Sequence, residues 1–113
     1  MKLINSKISK KELTEIAKER FGDMVKAVVD IELGIMVTGG ELHADEEAML
    51  LERGSKQENL WGINIYIDKP ANERTEFDSM INIRPRQNNR SRDILDKSIR
   101  EKIIVIVNNL VES

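Results

Sequence analysis

The sequence predicts an α+β domain: one antiparallel sheet of about four to five strands, arranged as a meander, with an N-terminal and a C-terminal helix packed on one face. Three patterns predict it. Residues 25–33 and 61–67 alternate apolar and other side chains with period two, as half-buried strands do. Leu13, Ile16, Ala17 and Phe21 recur at helical steps near the start. Leu95, Ile99, Ile103, Ile106 and Leu110 step by four, four, three and four near the end. With 113 residues and no repeat or linker, residues 1–113 read as a single domain.

Taken in order, residues 3–7 read as extended. Ser9 and Glu12 have the spacing of a capping box, so the first helix begins there. Gly22 is placed to end it in a left-handed conformation. Val25, Ala27, Val29, Ile31 and Leu33 then share one side of a strand, with Lys26, Val28, Asp30 and Glu32 on the other. Leu33-Gly34 turns the chain, and Ile35 to Thr38 return antiparallel. Gly39-Gly40 marks a bend or a close backbone approach.

Residues 41–53 fit two readings. Ala48 to Glu52 are good helix formers, Asp45 could cap and Gly54 could terminate. As a strand, Leu42, Ala44, Ala48 and Leu50 share a face, broken by Glu46. A strand suits a meander bounded by Gly39-Gly40 and Gly54-Ser55 and is the expectation adopted. Trp61, Ile63, Ile65 and Ile67 form the apolar side of a clearer strand, with Trp61 in the core. Phe77, Ser79, Ile81 and Ile83 predict another. Placing both apolar sets on one face puts Asn64 and Asn82 together on the opposite, polar face. That face is expected to be wet and to carry Tyr66 and Arg84, with His43, Asp45 and Glu47 nearby. Asp93 or Asp96 caps the final helix, whose run Ile103 to Val107 is apolar all round.

Composition narrows the function classes. Apolar residues make up 40% and charged residues 34%, too apolar for a disordered chain. No window approaches the ~20 apolar residues of a membrane span. Without cysteine there is no disulfide, thiolate nucleophile or cysteine-held zinc. No long apolar stretch opens the chain, so a cytoplasmic location is expected. The net charge of −2 is a cancellation: residues 1–20 carry +3, residues 21–60 carry −6 and residues 61–113 carry +1. A mildly acidic chain with 4% aromatics argues against nucleic-acid binding.

The strings GGELHADEEAMLLERGS, ENLWGINIY and FDSMINIRPRQNNRSR give the chain a resemblance. From about Phe21 onward it resembles a family of small prokaryotic proteins classed as a domain of unknown function, with GGELHAD, WGINIY and INIRP as its motifs. The resemblance implies a stand-alone domain. It carries over no catalytic residue, because the family has no assigned activity.

Two constellations could carry chemistry. If residues 41–47 are extended, His43, Asp45 and Glu47 point to one side, with Glu41. An imidazole among carboxylates suits a divalent metal, held by His43 and Asp45, or a general base beside a metal-bound water. Arg84, Arg86, Arg90 and Arg92 form a loop without an acidic residue before Asp93, and arginine forks grip anions. Each also has a plainer reading: a histidine bonded within the fold, and arginines that neutralise the acidic middle of the chain. No cofactor motif is evident. The leading expectation is a non-catalytic module that binds a partner protein or itself as a homodimer. The alternative is a metal-assisted hydrolase of a phosphate-containing substrate, with His43, Asp45 and Glu47 as metal site or base and the Arg84–Arg92 loop as anion site.

Overall fold

The computed structural model describes residues 1–112. Five antiparallel strands, β1 (Lys2–Ile4), β2 (Met24–Asp30), β3 (Ile35–Thr38), β4 (Leu60–Tyr66) and β5 (Thr75–Glu76), form one sheet in the order β1-β3-β2-β4-β5. Helices α1 (Lys10–Lys18) and α3 (Lys97–Leu110) cover one face and α2 (His43–Glu52) lies on the other. The predicted fold class stands, with an order more wound than a simple meander. β3 leads through α2 to β4 on the far side of β2, so β2 is the centre of the sheet.

The first face is built as its periodicity dictates. Val25, Ala27 and Val29 meet Ile65, Ile63 and Trp61 across the β2–β4 pair. Leu13 and Ala17 of α1 and Ile103, Val107 and Leu110 of α3 close over them in one buried cluster. Ser9 caps α1 by accepting from the Glu12 amide at 3.1 Å. Glu12 does not return the capping bond; its carboxylate pairs with Lys2. Gly22 (φ +87) ends that segment with its N–H on the Ala17 carbonyl at 2.8 Å. Leu95 falls outside α3 and is exposed, because Asp96 is the cap, accepting from Ser98 and Ile99.

Three expectations are corrected on the second face. First, residues 43–52 are helix, not strand. Their buried residues are His43, Glu46 and Leu50, a helical spacing of three and four hidden by two ionisable side chains. Second, residues 77–84 do not make a strand. After the two residues of β5 the chain takes 3₁₀ turns at Met80–Asn82 and Pro85–Gln87. Ser79 starts the first turn by accepting from the Ile81 amide at 3.3 Å. Third, this face is not wet: Val28, Val37, Leu50 and Leu60 form a small second core beneath α2.

Candidate functional site

The most furnished concavity is a cleft of about 400 Å³ on the α2 side of the sheet. Met24, Lys26 and Asn64 supply its sheet wall, Leu42, His43 and Ala44 the helix wall, and Glu76, Asp78 to Ile81 and Arg92 the third side. The placement follows from register: Lys26 lies opposite Asn64 in the β2–β4 pair, and Asn64 opposite Glu76 in the β4–β5 pair. All three therefore face one way from adjacent strands.

His43 is buried at the first residue of α2. Its Nε2 lies 2.8 Å from the Ile63 carbonyl. A carbonyl can only accept, so Nε2 holds the proton and Nδ1 is left as a bare acceptor. Burial lowers the pKa of His43, and the nearby Lys26 charge works in the same direction, against the opposing pull of the Ile63 carbonyl, the Asn64 side chain and the Asp78 charge. The imidazole is thus neutral at pH 7. Asn64 donates from Nδ2 to a Glu76 carboxylate oxygen at 2.8 Å and to the Asp78 carbonyl at 3.4 Å. Its Oδ1 is buried and has no partner among the described residues. Arg92 pairs with Asp78 at 2.6 Å.

Helix geometry separates the three residues expected to act together. Residues two apart on a helix do not face one another. His43 enters the cleft; Asp45 borders a second hollow with Met1, Arg20 and Glu52. Glu47 lies toward Arg84 and Gln57, its pKa raised by burial against the pull of Arg84. Among the described residues no three His, Asp or Glu side chains are grouped to hold a metal ion.

The arginines divide as well. Arg84 donates to the Gln57 and Leu60 carbonyls, and its guanidinium lies 4.0 Å from the Trp61 ring centroid, a cation–π stack. Burial lowers its pKa and Glu47 opposes that shift. Arg86 and Arg90 are exposed. Arg92 alone of the four lines the cleft.

Asn82 does not face Asn64. It takes the place of a strand residue against β4, accepting from the Gly62 amide at 2.8 Å and donating to the Gly62 carbonyl at 2.9 Å and the Arg92 carbonyl at 3.0 Å. Asn89 closes the loop by donating to the carbonyls of Asn82, Ser91 and Asp93 and accepting from the Leu95 amide. Gly62 has to be glycine here, since a Cβ would stand 2.5 Å from that of Ser79.

Sequence reasoning missed Lys26, Glu76, Asp78 and Ser79, which only the fold brings together. It also missed Glu46, which is fully buried. One of its carboxyl oxygens accepts from the Gly40 amide at 2.9 Å and the other has no partner among the described residues. Burial pushes its pKa up to about 9. Gly40 makes room for it, because a Cβ there would lie 2.8 Å from Glu46 Cγ. The 43–46–50 spacing was the available signal.

A family model described as a protein of unknown function (DUF5674) matches residues 2–110, so the likeness extends through the first strand and helix. No curated protein and no solved structure matches the chain.

Proposed function

The chain belongs to the DUF5674 family of proteins of unknown function, which passes on no activity, and from its geometry we propose that it is a non-catalytic binding module whose seat is the cleft beside His43 and Asn64. The carrying observation is that cleft itself. Its floor holds two polar side chains whose acceptors are not used by the fold, and its rim holds Leu42 and Met80, 54% and 65% exposed. Apolar anchors beside a few fixed polar groups are the usual anatomy of a recognition site.

The occupant is a segment of a partner protein. A homodimer through the sheet edge has little support, since the edge strands β1 and β5 have three and two residues. Metal-assisted hydrolysis has less, since α2 turns His43, Asp45 and Glu47 to different sides.

Selection of short random peptides on the full chain, with the selected peptides mapped by amide NMR, tests the reading. The expected result is saturable shifts at His43, Ala44, Asn64 and Ser79, lost in Met80→Asp, with light scattering reporting a monomer. Selected peptides that map elsewhere, or turnover of a phosphate ester with added Mn, Zn or Mg, would overturn it.

A further inference from the structure

We infer that the cleft receives a carboxamide side chain, asparagine or glutamine, carried between apolar residues on a partner's extended segment. This rests on the binding-module reading and deepens it.

His43 is 8% exposed and Asn64 6%, so both are held by the fold and not by solvent. The Ile63 carbonyl fixes the proton of His43 on Nε2, and the Glu76 carboxylate fixes the amide of Asn64 with Nδ2 outward to it. Neutral His43 is left with Nδ1 as an acceptor and Asn64 with a buried Oδ1 that has no partner among the described residues, and the two side chains are close enough that Asn64 favours a proton on His43. Two acceptors cannot satisfy each other, and an acceptor left unmet in a buried site is costly. The site lacks donors.

The opposite shortage holds at the helix wall. Leu42 offers no capping side chain to α2. The first intrahelical bond runs from the Asp45 amide to the Leu42 carbonyl, so the His43 and Ala44 amides have no partner among the described residues. They are donors at the positive end of a helix. Lys26 adds another donor: its ammonium lies over the Phe21 ring at 5.2 Å from the centroid and takes part in neither of the ion pairs among the described residues.

A carboxamide matches both walls, with two N–H donors and one carbonyl acceptor on a planar group. Charge points the same way. Lys26 and Arg92 balance Glu76 and Asp78 around the cleft, so a net ion gains nothing from entering it. A carboxylate would set acceptors against acceptors, and an ammonium would leave the helix amides unmet. The apolar neighbours on the segment lie on Leu42, Met80 and Met24.

The test uses the full isotopically labelled chain and blocked peptides Ac-Leu-X-Leu-NHMe, with X glutamine, glutamate, methionine or lysine. The glutamine peptide is expected to bind at the cleft about tenfold or more tighter than each of the others, the worth of one net hydrogen bond or more. Asn64→Leu is expected to bring glutamine down to the methionine level, with amide shifts away from the cleft unchanged. Propionamide alone is expected to bind far more weakly than the peptide; equal binding would assign the site to a small amide and not a partner segment. Glutamate or lysine binding as well as glutamine would overturn the donor argument and leave the binding module standing. No shift at the cleft with any probe would overturn both.

Discussion

The two faces of the sheet are held in different ways. Under α1 and α3 the contact is mainly apolar: Leu13, Ala17, Trp61, Ile103 and Val107 among others are buried, and the buried polar exceptions are Thr38 and Arg74, the latter donating to Asn108 and to the Val111 carbonyl at the end of α3. Under α2 and the 76–95 segment four fully buried hydrophobic residues form a small core, and buried beside it are the polar side chains of Asp30, His43, Glu46, Asn64, Ser79, Asn82 and Asn89. Burial of apolar surface is non-directional. Buried polar groups hold only when each finds its partner. The first face is therefore largely a general adhesive, and the second is a set of specific bonds, with Asn64 Oδ1 left open at the cleft proposed as a binding site.

The contrast can be broken by substitution, from the largest expected effect downward. Trp61→Ala removes the largest side chain of the first face and is expected to cost about 4 kcal/mol in urea unfolding. A cost below ~1 kcal/mol would mean that this face is loosely packed. Asn82→Leu keeps the volume but strands both backbone groups of Gly62 and the Arg92 carbonyl. It is expected to cost about 3 kcal/mol, with the loss of protection in hydrogen exchange concentrated at Gly62 and residues 82–95. A neutral Asn82→Leu would contradict a polar-bonded second face.

Glu46 separates the faces by pH. Its folded pKa of about 9 lies above the ordinary 4.5, so the native state holds a proton that the unfolded chain releases. The stability this contributes is fully present below about pH 4.5 and is lost as pH rises through 9. Between pH 7 and 9, where neutral His43 no longer titrates, the wild type is expected to lose up to about 1.4 kcal/mol per pH unit relative to Glu46→Gln. Glutamine retains an acceptor for the Gly40 amide and carries no titratable group. Parallel pH profiles for the two proteins would show that Glu46 is ionised or solvated.

What the sequence made legible follows the same division. Wherever apolar residues alone set the period, as in β2, β4 and α3, the elements and the core residues Trp61, Ile63 and Ile103 were readable. Gly22 and Ser9 worked because a left-handed stop and a cap have local signatures. The α2 face could not be read from apolar residues, since two of its three buried positions are His43 and Glu46. Residues 77–83 alternate like a strand, yet Ser79 starts a turn and the Asn82 side chain makes the bonds that a strand backbone would make. The site was half legible: His43 and Asn64 were singled out, on a face they do share. Asp45 and Glu47 were joined to His43 by a strand period that the helix does not have.

The proposed cleft chemistry requires His43 to be neutral and protonated on Nε2, with Nδ1 left as an acceptor. Long-range nitrogen–proton NMR of the ring in the full chain measures this directly. At pH 8 the spectrum is expected to show the neutral ring as the Nε2–H tautomer, with Nδ1 changing on addition of Ac-Leu-Gln-Leu-NHMe. A charged ring at pH 7, or a proton on Nδ1, would contradict the account.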